Sequence, residues 1–321
     1  MKKIAVVGAT GNVGREVLAV LAERKHNDLE VYALASPKSI GKKVSFGTRV
    51  LTIEGLEGFD FKNVEVAFFC GGGELARQYR EKVVNSGCII IDNSSAFRME
   101  EGVPLVVADI NMIEVANYKD KMILSNANCV ASPLASALNP LLEYGVKRVV
   151  TSTYQSVSGA GKRAMDELYK RTKAFYEIST SGREITQLGQ EAIFTKDIAF
   201  NCIPHIDYFL EDGRTKEEWK VEMETRKILN NDSIKISATC VRVPVFVGHA
   251  ISANIELENE FDMEDIFEKL SNQEGLILMD RRENGGYATQ RDVVRSYGVY
   301  ISRVRRDDTL PNALSLWVVA D

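Results

Sequence analysis

The sequence is poor in the residues on which secreted, metal-bound and membrane folds depend. It has five cysteines in 321 residues (Cys70, Cys88, Cys129, Cys202 and Cys240), scattered and without a CxxC pair. An odd, unpaired set argues against a disulfide framework and a zinc site; it suits reduced thiols in a cytoplasm, with no metal. Histidine is scarcer still, with His26, His205 and His249 alone, so imidazole chemistry has few candidates. No apolar span is long enough to cross a membrane. The opening MKKIAVVG has a basic start, but its apolar run is too short for a signal peptide and ends in a glycine turn. The formal net charge of -5 argues against nucleic acid as a partner. There is no internal repeat and no low-complexity segment.

What is present reads as a soluble enzyme long enough for two domains. Lys3–Val7 is an apolar strand, Gly8-Ala9-Thr10-Gly11-Asn12-Val13-Gly14 a tight turn, and Val13–Glu23 an amphipathic helix, with a second strand over Leu29–Leu34. That unit lays a pyrophosphate on a helix N-terminus, and Gly8 and Gly11 let the backbone approach it. An NAD enzyme usually carries an acidic residue after the second strand, for the ribose 2′-hydroxyl. Here the strand runs into Ser36, Pro37, Lys38 and Ser39. Lys38 with Ser36 or Ser39 would neutralise and hydrogen-bond a 2′-phosphate, which points to NADP.

Further strands over Val64–Phe69, Cys88–Ile91, Pro104–Val107 and Met122–Leu124 alternate with helices, the pattern of a doubly wound, Rossmann-like parallel sheet. Cys70, beside the triple glycine Gly71–Gly73, reads as structural. In the second half, Lys147–Gln155, Ile236–Phe246, Ala253–Leu257, Val299–Arg305 and Leu314–Val319 are strand-like. Ala164–Tyr176, Glu217–Leu229 and Met263–Ser271 have helical spacing, and Ile178–Gln190 reads as a surface region or partner contact. Strands with few crossovers indicate an α+β domain with a mixed, largely antiparallel sheet. The boundary is expected at 127/128.

Cys129 stands at that boundary. The run Met122–Leu124 ends a strand, and Leu134, Leu138, Leu141 and Leu142 recur at helical spacing up to Gly145. A cysteine at a strand-to-helix junction meets unpaired N–H groups and the positive end of a helix dipole, both of which favour the nucleophilic thiolate. A buried, inert cysteine is the competing reading. Ser132 and Pro133 suit an N-cap and first helical position, which would start the helix after Cys129.

With SNANC, GATGNVG, YQSVSGAG and VRVPVFVGH all present, the chain resembles the aspartate-semialdehyde dehydrogenases nearly end to end, including SSAFRM, NCIPHID and LWVVAD. The resemblance implies NADPH-dependent reductive dephosphorylation of β-aspartyl phosphate, a step of lysine (diaminopimelate), threonine and methionine biosynthesis. It implies Cys129 as acyl-thioester nucleophile, His249 as general acid/base and Gln155 as the substrate-orienting amide. Arg242 would bind the substrate carboxylate, Glu217 its ammonium, and Arg98 and Lys220 the phosphate. Thr10, Gly11, Asn12, Val13, Ser158 and Gly159 match NADP contacts. His205 reads as structural. Without the resemblance, Glu217 and Lys220, three residues apart, would be a surface ion pair. The family also implies a homodimer built through residues 128–321.

Two departures stand out. Ala127 replaces a common proline, and the sequence stops at Asp321, where family members continue into a final helix that returns to the first domain. That helix is expected to be absent. Three other readings compete. N-acetyl-γ-glutamyl-phosphate reductase shares the cysteine motif, but a free ammonium substrate gives Glu217 its use. Ser156, Tyr169 and Lys173 fall at short-chain-dehydrogenase spacing, which would leave Cys129, Arg242 and His249 unexplained. A non-enzymatic NADP-binding redox sensor would have no need of Arg98, Lys220 and Arg242.

Overall fold

A computed structural model describes residues 2–24, 29–181 and 192–321, with the side chains of 178–181 left out. His26, and most of the polar stretch anticipated as a surface region or partner contact, lie outside the described residues. The chain folds as two compact units, Met1–Ala127 and Asn128–Asp321.

In the first unit the strands are β1 (Lys3–Val7), β2 (Glu30–Ala35), β3 (Lys43–Phe46), β4 (Arg49–Thr52) and β5 (Glu54–Gly55). They are followed by β6 (Val66–Phe69), β7 (Ile89–Asp92), β8 (Leu105–Val106) and β9 (Ile123–Asn126). Its helices are α1 (Asn12–Glu23), α2 (Gly73–Val84) and the short α3 (Ala108–Asn111). Seven strands pair in the order β5-β2-β1-β6-β7-β9-β8, and all of the pairings are parallel. Because side chains alternate along a strand, β1 feeds two cores. Ala5 and Val7 pack with Phe69, Ile90, and Ala76 and Val83 of α2. Val6 packs with Ala33 and Leu18 of α1 on the other face. Burying a side chain such as Phe69 contributes about 2–3 kcal/mol. The β3–β4 hairpin is an addition to the sequence reading; its Val44 and Phe46 are buried in the α1-side core.

The second unit holds β10 (Val146–Gln155), β11 (Lys235–Arg242), β12 (His249–Leu257), β13 (Leu276–Leu278), β14 (Val299–Arg306) and β15 (Ala313–Ala320). Its helices are α4 (Ala131–Leu138), α5 (Lys162–Ser181), α6 (Lys216–Ile228) and α7 (Met263–Asn272). The sheet order is β11-β10-β12-β15-β14-β13. The four inner strands pair antiparallel, and both edge strands pair parallel with their neighbours. This is the mixed, largely antiparallel sheet expected. The strand anticipated over Ile236–Phe246 stops at Arg242, and His249 begins β12. Helix α4 packs on α6, β14 and β15, and α6 on β11. Among the described residues no helix is long and apolar enough to cross a membrane.

Candidate active site

Three strand ends build the centre of the site. Gln155 is the last residue of β10; in register it lies opposite Arg242 on one side and His249 on the other. Residues far apart in sequence thus stand in one row. The link from Val243 to Gly248 crosses the end of β10. Val243 N–H donates to the Gln155 carbonyl at 3.0 Å, and the carbonyls of Val245 and Phe246 accept from Val157 and Ser158 at 2.9 and 3.1 Å. Gly248 has φ +88, and a Cβ there would lie 2.8 Å from the Gln290 carbonyl oxygen, so the turn into β12 requires glycine.

Ser156, directly after Gln155, holds the two flanking side chains through its backbone. Its N–H donates to His249 Nδ1 at 3.0 Å, and its carbonyl accepts from Arg242 Nη1 at 2.7 Å. Its hydroxyl lies 3.0 Å from Ser158 Oγ and 3.3 Å from His249 Nδ1. A Cβ on Gly159 would come 3.3 Å from Arg242 Nη1 and 3.5 Å from His249 Nε2, so both side chains face that glycine. Burial, then the neighbouring Arg242 cation, lowers the His249 pKa to about 4, against opposing pulls from Glu217 and the Gly248 backbone. Burial lowers Arg242 too, while Cys129 and Glu217 attract its charge.

Cys129 is exposed. The helix that follows is not capped at Ser132, as its sequence suggested; α4 starts at Ala131, and Asn128 does the capping. The Asn128 carbonyl accepts from Ser132 N–H at 3.0 Å, closing a helical turn around Cys129. Its side-chain Oδ1 accepts from the N–H groups of Val130 and Ala131 at 2.8 and 3.2 Å. Asparagine wins because its amide oxygen reaches two orphan N–H groups at once. Cys129 therefore lies inside the first hydrogen-bonded turn, where the helix dipole acts.

Helix α6 ties this turn down. The Asn128 N–H donates to Glu224 Oε2 at 2.7 Å and its side-chain amide to Glu217 Oε1 at 3.0 Å. Glu217 Oε1 also accepts from Gln155 Nε2 at 3.1 Å, and Thr153 Oγ1 donates to Gln155 Oε1 at 2.8 Å. Glu217 and Lys220 do pair, at 3.2 Å, but both side chains are largely buried, so this is no surface ion pair. Lys220 also meets Asp207 at 2.6 Å. Burial raises the Glu217 pKa, yet Lys220, Asn128 and Gln155 outweigh it and hold the carboxyl below its usual range. Lys220 is pulled down by burial and held above the usual lysine value by Glu217 and Asp207.

The remaining candidates lie in the first unit. Gly8 has φ +86, and a Cβ on Gly14 would sit 2.4 Å from the Gly8 carbonyl oxygen, so the turn closes on glycines. Gly11 is the N-cap of α1 and has no side chain to cap it; no acidic residue stands in the first turn. Around Thr10, Asn12 and Val13 the helix start thus suits a pyrophosphate. After β2, Ser36 and Lys38 are exposed, whereas Ser39 is buried and accepts from Lys42 at 3.4 Å. Arg98 is buried, donating to the carbonyls of Asn126 at 2.8 Å and Asn93 at 3.0 Å.

Of the competing residues, Tyr169 is 62 % exposed and Lys173 pairs with Glu177, so neither joins Ser156. His205 stacks on Phe209. Burial pushes the Cys70 thiol up to about 12, which makes it a poor nucleophile. Sequence reasoning passed over Asn128, Thr153 and Glu224 and gave Ser156 another role. Asn128 was legible as a cap before Cys129. Glu224 follows Glu217 by two helical turns, and that spacing puts them on one face.

Both halves match family models: "Semialdehyde dehydrogenase, NAD binding domain" over residues 3–118 and "Semialdehyde dehydrogenase, dimerisation domain" over 138–321. The fold is that of the semialdehyde dehydrogenase class. An aspartate-semialdehyde dehydrogenase of Rickettsia bellii is 46% identical over 319 residues, 99% of this chain and 92% of that one. One from Aquifex aeolicus is 43% identical over 321 residues, with the same coverage. The crystal structure of aspartate semialdehyde dehydrogenase II of Vibrio cholerae, complexed with ASA, superposes with a TM-score of 0.93 at 38% identity, covering 100% of this chain and 93% of that one. The chain belongs to the aspartate-semialdehyde dehydrogenase family.

Proposed function

We propose that this chain reduces β-aspartyl phosphate to aspartate semialdehyde and phosphate with NADPH, through an acyl-thioester on Cys129. The observation that carries this reading is the row Arg242–Gln155–His249, joined through Gln155, Glu217 and Asn128 to the capped turn holding Cys129. Bound NADPH supplies the reducing equivalent that turns the thioester into an aldehyde. The glycine turn Gly8–Gly14, with Thr10, Gly11, Asn12 and Val13, holds its pyrophosphate. Ser36 and Lys38 hold the 2′-phosphate, with Ser39 turned inward, and Ser158 and Gly159 complete the cofactor contacts.

Cys129 attacks the acyl carbon, and the carbon–oxygen bond to phosphate breaks, which divides the reaction into two easier steps. The Arg242 fork binds the substrate carboxylate. Glu217 and Asp207 share one Lys220 ammonium, and their surplus negative charge suits the substrate ammonium. That surplus also favours a free-amine substrate over an N-acetylated one. Arg98 and Lys220 are assigned to phosphate, and His249 to the acyl oxygen. The homodimer, assembled through the second unit, and the cytoplasmic setting complete the reading; the match to a dimerisation domain and five scattered thiols support them.

The test is phosphate-dependent reduction of NADP by aspartate semialdehyde on the purified protein. Activity is expected with the wild type and abolished in Cys129→Ser, with NADP affinity unchanged within about twofold. A folded wild type without activity would overturn the reaction, and a collapse of NADP affinity in Cys129→Ser would make Cys129 structural.

A further inference from the structure

We propose that Glu218 is a positioning residue: it ties the start of α6 to the edge strand β11 and so sets the spacing between Glu217 and Arg242. Those are the side chains assigned above to the ammonium and the carboxylate of the substrate. The proposal rests on that reading for the two roles and adds the device that makes them act together. The substrate carries both groups on one carbon, so binding them at once requires a carboxylate and a guanidinium at a fixed separation.

Glu218 is a buried carboxylate with no part in the chemistry described so far. Its Oε2 accepts from the Thr215 N–H at 2.7 Å, while its own N–H donates to Thr215 Oγ1 at 3.3 Å. This reciprocal cap closes the first turn of α6. The cap uses only one of the two oxygens. The other, Oε1, reaches out of the helix and accepts from the Cys240 N–H of β11 at 3.0 Å. A carboxylate also suits the positive end of the helix.

The strand edge gives that bond its importance. β11 is the outer strand of its sheet. Toward its end the N–H groups of Val241 and Val243 face β10, reaching Thr153 Oγ1 at 3.3 Å and the Gln155 carbonyl at 3.0 Å. Those of Cys240 and Arg242 alternate with them and bond away from β10, to Glu218 and to the Ile203 carbonyl, the latter at 2.8 Å. Arg242 follows Cys240 by two residues, about 7 Å along the strand and on the same face. Glu217 directly precedes Glu218 on α6. The tie thus lies one short step from each binding group. Burial lowers the Arg242 pKa, and the charges of Cys129 and Glu217 oppose it, so Glu217 acts on the guanidinium across the gap.

The other buried carboxylates of α6 have different partners: Glu217 and Glu224 hold Asn128, and Glu222 pairs with Arg214. Glu218 is the one that reaches β11. A glutamine in its place would offer an oxygen to one N–H and turn its NH2 toward the other. Glu218→Gln therefore keeps a residue that suits this position of a cap and loses one of the two bonds. The buried Cys240 N–H or the Thr215 N–H is left without its acceptor, and α6 and β11 move relative to one another to satisfy it. A displacement of about 1 Å is enough to cost up to a hundredfold in rate.

The test is steady-state kinetics of phosphate-dependent NADP reduction, with each substrate varied in turn. Glu218→Gln is expected to raise KM for aspartate semialdehyde about tenfold and to keep kcat within about threefold. KM for NADP and for phosphate, whose assigned groups do not include β11, should stay within about threefold. Thr215→Ala weakens the cap but leaves the bond to Cys240. It should lower the urea midpoint and keep KM for aspartate semialdehyde within about twofold. An unchanged KM in Glu218→Gln, a parallel rise for all substrates, or an equal rise in Thr215→Ala would each overturn the proposal. Amide hydrogen exchange at Cys240 reads the tie without substrate, and it should be at least about tenfold faster in Glu218→Gln than in the wild type. Equal exchange would overturn the tie itself. An inactive wild type that shows this exchange difference would support the tie and overturn the reaction assigned above.

Discussion

Acidification from pH 7 to 4 should cost the second unit about 3 kcal/mol of folding stability through His249 alone. The ring has a pKa of about 4 in the folded protein against an ordinary value of 6.5, because it is buried beside Arg242. Each unit of difference is worth about 1.36 kcal/mol. Between the two values the unfolded chain binds a proton that the folded chain refuses, so stability rises with pH across that window and falls as pH drops from 6.5 toward 4. The perturbation that isolates this is His249→Gln, which has no group to titrate there. Urea unfolding can be followed by tryptophan fluorescence, since both tryptophans, Trp219 and Trp317, lie in the second unit with His249. Other groups change the pH dependence of both proteins alike, so the quantity to read is the difference between their profiles. The wild type should lose about 3 kcal/mol more than the variant on going from pH 7 to 4. Parallel profiles would show that His249 titrates equally in both states, and the buried, amide-held ring would be refuted.

Asn128→Ala removes a cap worth about 1 kcal/mol and one hydrogen bond to the buried Glu217 carboxylate, worth about 2 kcal/mol. Urea unfolding should show a loss of about 3 kcal/mol, and alkylation of Cys129 should slow; an effect under about 1 kcal/mol would mean that Glu217 and α4 do not depend on the cap. Lys38→Ala should weaken NADPH binding roughly fivefold, about 1 kcal/mol for an exposed charge, and leave NADH binding unchanged. Equal losses for both nucleotides in fluorescence titration would remove Lys38 from the 2′-phosphate site.

The parts legible in the sequence are those fixed by local patterns. Lys3–Val7 followed by a glycine turn and an amphipathic helix can form one structure, and β1 and α1 appear where the pattern placed them. The β3–β4 hairpin escaped notice because its strands, KVSF and RVLT, have four residues each and are too short to stand out. The helix start was misplaced because Ser132 and Asn128 are both good caps; the choice fell to Asn128, whose remaining amide group meets a carboxylate on α6. Spacing along α6 made Glu217 and Lys220 look like a solvated pair, since burial comes from α4 and β11, which a local window does not contain.

The row of candidate site residues was the least legible part, because register creates it. Neither Gln155, Arg242 nor His249 carries a local signal that names the other two. They meet because β10 pairs with β11 through eight consecutive residues, Arg148 to Gln155 against Lys235 to Arg242, and with β12 back to Val146. A slip of one residue on either side would turn Arg242 or His249 to the opposite face of the sheet. The alternation of buried residues along β12, with Ile251, Ala253, Ile255 and Leu257 on the core face, holds His249 on that same face. The apolar pattern of the strands therefore does two jobs. It builds the core, and by fixing register it sets the Ser156 amide against His249 Nδ1.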